Sequence, residues 1–242
     1  MIDAVNPPVA DSELVDKLVA ANRILYQQGV VDGFGHASVR HDKSQDHFLL
    51  ARNMAPGLVQ RDDVVTFDLD GAALNADGRR VYLERFIHGE IYRARPDVHA
   101  IVHSHSPSVI PFGVTARPLR PIFHMSGFLG EGASLFEIRE VAGDTNMLIS
   151  DNRLGAALAA SLGERSTVLM RGHGSTVVGT SIEQAVYRAI YAEVNAKLQL
   201  QAVALGEVTY LNANEAALAA STNDTQLVRT WDLWLRQVGT IE

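Results

Sequence analysis

Near its start the chain places apolar side chains at the spacing of one helix face. Asp11, Ser12 and Glu13 supply a cap and a first-turn acid, and Gly29 can end the helix. Because positions three and four residues apart share a helix face, the stretch predicts a packing helix with one buried side. The apolar positions on this side are Leu14, Val15, Leu18, Val19 and Leu25.

Further along, short apolar and β-branched runs predict strands, and longer periodic stretches predict helices. The predicted strands are residues 47–51, 64–69, 98–103 and 167–170, with 147–149 as a weaker candidate and the glycine loop 33–40 entering one more. The predicted helices are residues 83–95, 106–112, 154–162 and a long one from the capping box at Ser181 to about Leu205. We expect an edge or irregular segment at 118–123, a glycine-rich loop at 124–131, and a C-terminal stretch with Trp231 and Trp234 that covers the sheet or a neighbouring subunit.

Strands and helices are mixed without strict alternation. This order predicts an α/β fold in layers, with a largely antiparallel or mixed sheet between helices. At 242 residues, 47% hydrophobic and 20% charged, the chain can bury a substantial core. We expect one domain over residues 1–242, with a core at roughly 11–205 and a C-terminal helical segment at 206–242.

Composition narrows the chemistry. There is no cysteine, so a bound metal must be held by histidine, carboxylate and water, and this fits a reducing cytoplasm. A net charge of -7 argues against nucleic acid and anionic membranes as partners. Residues 1–4 lack a basic start before an apolar run, and no run approaches the roughly 20 residues of a membrane span. We expect a soluble cytoplasmic protein.

Two histidines, His103 and His105, stand one residue apart at the end of the predicted strand 98–103. Since strand side chains repeat every two residues, both imidazoles leave the backbone on the same side, where they can bind one cation. An isolated pair is also compatible with an ordinary strand end. Further ligands are needed before the pair predicts a metal site.

A third histidine, His173, lies between two glycines just after the predicted strand 167–170. Glycines permit a sharp turn that exposes the side chain at a sheet edge. At this point His173 can be either an ordinary turn histidine or a third metal ligand. Three neutral imidazoles on one ion leave coordination positions free, as in a catalytic metal site. On the predicted helix 83–95, Glu84 and His88 share a face.

Glu84, the histidine pair at 103–105 and the Arg-Gly-His-Gly run at 171–174 together resemble the class II aldolase/adducin family of sugar-phosphate aldolases and epimerases. The resemblance covers most of the chain, from the first helix to about Leu205. It implies a three-layer α/β/α fold and a homotetramer with active sites at subunit interfaces. It also implies that His103, His105 and His173 bind the metal and that Glu84 is the catalytic acid or base.

Two segments depart from the sugar-phosphate aldolases. Those enzymes carry a small hydroxyl and glycine loop where this chain has Arg-Asn-Met-Ala at residues 52–55, and a Ser-Ser pair where it has Tyr82 and Leu83. A phosphate needs several converging donors, and Met, Ala and Leu offer only their backbone. A phosphorylated sugar is therefore disfavoured as the substrate, unless other donors have taken over.

The glycine loop departs as well, because His36 stands where family aldolases usually have asparagine. His36 can donate a proton or carry charge near neutral pH, and the fork of Arg52 suits a carboxylate. Either residue can instead be an ordinary surface group. Residues 33–40, 52–56, 82–89 and 103–107 resemble the aromatic decarboxylases of the family, which act on 3-hydroxy-2-methylpyridine-4,5-dicarboxylate and 3,4-dihydroxyphthalate.

This second resemblance implies a metal-dependent decarboxylase of a hydroxylated aromatic or pyridine dicarboxylate, a small anionic substrate. Its catalytic candidates are Glu84, His36 and His124, the last in the glycine-rich loop and able to reach a neighbouring subunit. Its candidate substrate contacts are Arg52, Ser38 and Asn53. The expected cofactor is one divalent ion, Zn, Mn, Fe or Co.

Two alternatives stay open. One is a class II aldolase or epimerase acting on an unphosphorylated hydroxy-carbonyl compound. The other is a catalytically silent, adducin-like interaction module, which the three retained metal histidines disfavour. His88 can support Glu84 or simply pack, and His41, His47 and His99 are expected to be solvated or hydrogen-bonded.

Overall fold

A seven-stranded sheet forms the middle layer of the computed structural model, which describes residues 7–239. The strands run in the order β3-β2-β1-β4-β7-β6-β5, and every neighbouring pair is antiparallel except β5 and β6. The predicted α/β fold with a largely antiparallel, mixed sheet is therefore confirmed. The strands are β1 His36–Arg40, β2 His47–Ala51, β3 Val64–Asp68, β4 Ala100–Ser104, β5 Ser134–Phe136, β6 Thr167–Met170 and β7 Gly174–Gly179.

Helices cover both faces of the sheet. The α-helices are α1 Ser12–Gln27, α2 Arg85–Ala94, α3 Ile110–Gly113, α4 Arg139–Ala142, α5 Asn152–Leu162, α6 Ile182–Leu205, α7 Ala213–Asp224 and α8 Leu227–Val238. Three 3₁₀ helices lie at Pro56–Leu58, Arg61–Asp63 and His124–Leu129. Asp11 caps α1 through a hydrogen bond from the Glu13 amide, as its sequence predicts. Within residues 7–239, no helix has both the length and the hydropathy of a membrane span.

The sheet separates two apolar cores, and this separation decides where the histidines point. Ile101 packs with Ile87 and Ile91 of α2 on one face, whereas its neighbour Val102 belongs to the core formed with α1, α6 and α8 on the other. Since strand side chains alternate, His103 faces the same layer as Ile101. The end of β4 therefore directs its histidines toward α2.

Several element predictions need correction. Residues 147–149 form no strand, and Met147 has a φ of +72°, which an extended strand does not permit. Residues 124–131 are largely a 3₁₀ helix rather than a loop. The short helix predicted at 106–112 forms only at Ile110–Gly113. Two strands were not predicted, β5 because it has only three residues and β7 because glycines begin and end it.

The C-terminal helices pack on the same molecule that carries the sheet. Trp231 and Trp234 of α8 are both buried in the core that α1 and α6 form. Helix α7 packs against the 3₁₀ helix at His124–Leu129. The chain thus uses its own C-terminal segment to cover α1 and α6. Residues 1–4, on which the expectation of no secretory signal was based, lie outside the described residues.

Close contact between α2 and α5 depends on Gly155. A Cβ at this position would lie 2.5 Å from the carbonyl oxygen of Phe86 and 2.9 Å from Cγ of Glu90. We expect Gly155→Ala to destabilise the fold by about 1–3 kcal/mol, although alanine is the better helix former by about 1 kcal/mol. Urea unfolding measures the difference. Ala156→Gly, at an exposed neighbour, isolates the propensity effect, and a more stable Gly155→Ala protein would contradict this packing.

Candidate metal centre

One end of the sheet gathers the predicted site residues. His36 begins β1 and pairs with His103 near the end of the antiparallel strand β4. Strand β7 begins directly after His173 and also runs antiparallel to β4, so its first residues lie beside the end of β4. The antiparallel strands β1, β4 and β7 therefore bring together, at one end of the sheet, histidines that are far apart in sequence.

Four side chains converge at this end of the sheet. The Nε2 atom of His105 lies 3.3 Å from Nε2 of His103 and 3.0 Å from Nε2 of His173. Oε2 of Glu84 lies 3.6 Å from Nε2 of His103 and 3.5 Å from Nε2 of His173. All four ligand atoms lie within 4.8 Å of one another. The structure thus places the three predicted metal ligands and the predicted acid or base in a single cluster.

Glu84 reaches the cluster from the N-cap position of α2. Its side chain makes no capping hydrogen bond there. Instead, Oε1 accepts a hydrogen bond of 3.0 Å from the amide of Ile149, and the residue is only 8% exposed. Glu84 is therefore held toward the histidines and does not serve as a first-turn helix acid.

The Nδ1 atoms of two of these histidines have hydrogen-bond partners outside the cluster. Nδ1 of His173 donates to the carbonyl oxygen of Met147 at 3.0 Å, and Nδ1 of His103 lies 3.5 Å from Oγ1 of Thr176. The carbonyl can only accept, so neutral His173 presents an Nε2 lone pair to the centre, whereas the Thr176 hydroxyl can donate to or accept from His103. A cation between them, either a metal ion or a proton on His173, stabilises lone pairs and a carboxylate that face one another at this range.

The spacing fits one small divalent ion. Four ligands at about 2.1 Å from a tetrahedral ion lie about 3.4 Å apart, close to the separations of the cluster. Nitrogen and oxygen ligands, without thiolate, suit Zn, Mn, Fe or Co. The donor set of His103, His105, His173 and Glu84 is therefore suited to the metal that the sequence predicts.

Electrostatics set the charge of the cluster. Burial raises the pKa of Glu84, but His173, His103 and the Ile149 amide outweigh burial and lower it to about 2. Burial lowers the pKa of His103 and His105. Burial also lowers the pKa of His173, but Glu84 and the Met147 carbonyl raise it above the ordinary value overall. A carboxylate therefore faces imidazoles, of which two are held neutral, the form that binds metal.

His36 lies beside the cluster without joining it. Its ring centre is 5.0 Å from that of His103 and 4.6 Å from that of Tyr82, and the residue is 3% exposed. Burial, and then the nearby His88, keep its pKa well below the usual value. Of the two possibilities that the sequence offers for His36, donating a proton or carrying charge, this environment favours the neutral imidazole, and a catalytic role of His36 stays a prediction.

Ser38 does not reach the site. Its side chain is fully buried, and Oγ hydrogen-bonds Nδ1 of His88 at 2.6 Å and the hydroxyl of Tyr92 at 2.8 Å. The structure contradicts the predicted substrate contact at Ser38, because no substrate atom can approach this hydroxyl. His88 is the partner of Ser38 and, through Nε2, of His36 at 2.7 Å.

Arg52 and Asn53 follow β2 at the same end of the sheet. Nε of Arg52 donates to Oδ1 of Asp63 at 2.6 Å, and the side chain is 38% exposed. The other guanidinium nitrogens make no hydrogen bond to any residue in 7–239. Asn53 is exposed. Both residues are placed to meet a molecule from solvent, and their substrate role stays a prediction.

His124 is not brought to the cluster of its own chain. It begins the 3₁₀ helix that packs against α6 and α7, and its neighbour Phe123 contacts Tyr191 of α6. Helix α6 covers the face of the sheet opposite α2, and the His124 side chain is exposed. Within one chain the predicted catalytic role of His124 is therefore not supported. A role in a neighbouring subunit stays a prediction.

The remaining histidines are satisfied or exposed, as expected. His41 contacts the carbonyl oxygen of Pro8, His47 contacts Ser44, and His99 is exposed. The sequence marked Tyr82 through its place in the segment that replaces the Ser-Ser pair, but it did not identify Thr176 or Met147 as site neighbours. Thr176 follows from the register of β4 and β7 once β7 is known, whereas nothing in the sequence marks Met147.

The chain is similar to known proteins in sequence and in fold. The family model described as the Class II Aldolase and Adducin N-terminal domain matches residues 16–200. Decarboxylase tropJ of Talaromyces stipitatus is 37% identical, over 93% of this chain and 94% of that protein. The 3,4-dihydroxyphthalate decarboxylase of Arthrobacter keyseri is 31% identical, over 82% of each chain. The L-fuculose 1-phosphate aldolase of Glaciozyma antarctica superposes with a TM-score of 0.77 at 26% identity, over 97% of this chain and 94% of that one.

Proposed function

The chain belongs to the class II aldolase and adducin family, and from this premise we propose that it is a metal-dependent decarboxylase of a hydroxylated aromatic or pyridine dicarboxylate. The substrate class is that of 3,4-dihydroxyphthalate or 3-hydroxy-2-methylpyridine-4,5-dicarboxylate. The observation that carries the proposal is the convergence of three imidazole Nε2 atoms and one carboxylate. Relatives named as decarboxylases support the reaction class, a carbon–carbon lyase.

His103, His105 and His173 would hold one divalent ion of Zn, Mn, Fe or Co. A bound ion of this kind supplies a Lewis acid for negative charge on the substrate hydroxyl oxygen. Two of these three histidines have their Nδ1 atoms fixed by other groups, so the Nε2 atoms need little reorganisation to bind. The residues present thus match the cofactor that the proposal requires.

Decarboxylation of an ortho-hydroxy acid requires two proton movements. The hydroxyl loses its proton, and the ring carbon that bears the carboxylate gains one, which places the carboxylate β to a carbonyl. The bond to the carboxylate carbon then breaks, carbon dioxide leaves, and its electron pair restores the aromatic ring. Glu84, a buried carboxylate beside the cluster, would accept the first proton and return it to the ring carbon.

Anionic substrate groups need positive or donating partners at the mouth of the site. Arg52 offers guanidinium nitrogens that are not used within the described part of the chain, and Asn53 is exposed next to it. A planar fork matches a carboxylate in a bidentate manner. We assign Arg52 and Asn53 to the second carboxylate of the substrate. A contribution of His124 from a neighbouring subunit belongs to the proposed homotetramer, and a cytoplasmic location stays a prediction.

A panel of substrates tests the function. The protein is loaded separately with Zn, Mn, Fe and Co and incubated with both dicarboxylates and with unphosphorylated hydroxy-aldehydes, while carbon dioxide and aldehyde are measured. We expect carbon dioxide from the hydroxylated dicarboxylates. Phthalate, which lacks the hydroxyl group, should react at least about 10³-fold more slowly, because without that oxygen no carbonyl can form β to the carboxylate.

The same panel separates the alternatives. Aldol cleavage without carbon dioxide would overturn the decarboxylase proposal in favour of an aldolase or epimerase. A protein that binds none of the four metals and converts no compound would be an adducin-like interaction module. Apo protein and protein reloaded after chelation serve as controls for metal dependence.

A further inference from the structure

A buried chain of hydrogen bonds leads from α2 to the edge of the metal centre. The Tyr92 hydroxyl lies 2.8 Å from Oγ of Ser38, Oγ of Ser38 lies 2.6 Å from Nδ1 of His88, and Nε2 of His88 lies 2.7 Å from Nδ1 of His36. All four residues are at most 3% exposed. Buried polar groups of this kind are stable when each hydrogen has an acceptor, so the direction of the chain can be worked out.

The Tyr92 hydroxyl determines which group donates and which accepts at each hydrogen bond of the chain. This hydroxyl has one hydrogen-bond partner among the described residues, Oγ of Ser38. If Ser38 donated to Tyr92, the Tyr92 hydrogen would be buried without an acceptor, which is unfavourable. If Tyr92 donates to Ser38, the Ser38 hydrogen goes to Nδ1 of His88, and both buried hydroxyl hydrogens have acceptors. The satisfied chain therefore runs from Tyr92 through Ser38 to His88.

The direction then fixes both imidazole tautomers. His88 accepts at Nδ1, and as a neutral imidazole it carries its hydrogen on Nε2. Burial keeps His88 neutral, because it lowers the pKa of this residue to about 3. Nε2 of His88 donates to Nδ1 of His36, so His36 in turn carries its hydrogen on Nε2. Each step follows from the hydrogen count.

Nε2 of His36 opens toward the site. It has no hydrogen-bond partner among residues 7–239, and it is not one of the fully buried polar atoms that lack a partner. The ring lies between His103 and Tyr82. An N–H group at this place can donate to an acceptor that enters beside the metal ligands.

We propose that Ser38 is a positioning residue that, through His88, presents His36 as an Nε2–H donor to a carboxylate or phenolate oxygen of the substrate. The identity of the acceptor rests on the proposed decarboxylase function. The direction of the chain does not, because it follows from the protein alone. His36 thus acts as a neutral donor with a defined tautomer, and not as a charged acid.

Neutron diffraction from crystals of the zinc-loaded protein exchanged into D₂O tests the direction. We expect deuterium on Nε2 of His36, on Nε2 of His88, and on Oγ of Ser38 in the direction of His88. Deuterium on Nδ1 of His36 would overturn the proposal. The measurement needs no substrate, so its result is independent of whether the substrate panel supports the decarboxylase function.

Substitutions identify which hydroxyl matters. In Tyr92→Phe the Ser38 hydrogen still has only His88 as acceptor, so the tautomer of His36 should persist. In Ser38→Ala the direction is lost, both tautomers should be seen on His36, and kcat/KM should fall about two- to threefold, because part of the population lacks the donor. Zinc content should stay unchanged in both variants.

Ser166→Ala is the matched control, because its hydroxyl donates to the Phe128 carbonyl away from the site. It should keep kcat/KM and the His36 tautomer of the unaltered protein. A Ser38→Ala protein in which His36 keeps a single Nε2–H tautomer would show that Ser38 does not position His36, whatever its activity.

Discussion

Replacing His105 with alanine is expected to abolish metal binding and to lower decarboxylation by at least about a thousandfold, since Lewis-acid assistance contributes several kcal/mol. His105 is the ligand whose Nε2 lies between those of His103 and His173, at 3.3 and 3.0 Å. Without it two imidazoles and Glu84 remain. His105 is only half-buried and follows the last residue of β4, so the fold should survive. His173→Ala should likewise lose metal binding and activity while the fold survives.

Metal content after dialysis, carbon dioxide release and thermal unfolding of the apo protein measure these three expectations. His99→Ala is the matched control, because His99 is exposed at the opposite end of β4 and joins no cluster among the described residues. It should keep full metal content and activity. A His105→Ala protein that retained both would show that the cluster is not the metal site.

Glu84→Gln is expected to keep the metal and to lose about 10²–10⁴-fold in kcat, because an amide cannot accept and return a proton. Glutamine has the same shape, and its carbonyl can still accept the hydrogen bond from Ile149 that holds Glu84 in place. The three imidazoles are unchanged. Metal content and single-turnover release of carbon dioxide therefore separate proton transfer from binding.

Glu90→Gln provides the comparison on the same helix. Glu90 is also buried, and it accepts a hydrogen bond from Asn152 rather than facing the histidines. Its substitution should leave turnover unchanged. Full activity of Glu84→Gln would remove Glu84 from the proton transfer steps, and loss of metal in that variant would make Glu84 a required ligand.

The sequence predicted the parts of the site that depend on local geometry. Alternation along β4 predicts that His103 and His105 leave the strand on one side, and their Nε2 atoms lie 3.3 Å apart. The position of His173 was open from its own surroundings. Its approach to the pair depends on the register of β7 with β4, and β7 was not predicted. Glu84 entered the predicted site through the resemblance, since spacing alone gives only a helix face.

The orientation of buried side chains was less predictable. Ser38 and His36 lie in one motif and share a face of β1, yet Ser38 is enclosed under α2 and His36 borders the metal ligands. Which of them borders the metal ligands depends on where α2 lies over the sheet, a contact between residues about fifty positions apart. Likewise, the exposure of His124 depends on the packing of α6 and α7, which no motif near His124 reports.

The irregular segment at Met147 and Ile149 contacts both His173 and Glu84 through its backbone. Its Met147 carbonyl receives the Nδ1 hydrogen bond of His173, and its Ile149 amide holds Oε1 of Glu84. A displacement of this segment would therefore move a metal ligand and the proton-transferring carboxylate at the same time. The two cannot be tuned independently by substitutions here. Evolution toward new substrates would meet less constraint at the loop that carries Arg52 and Asn53, which lies outside this linkage.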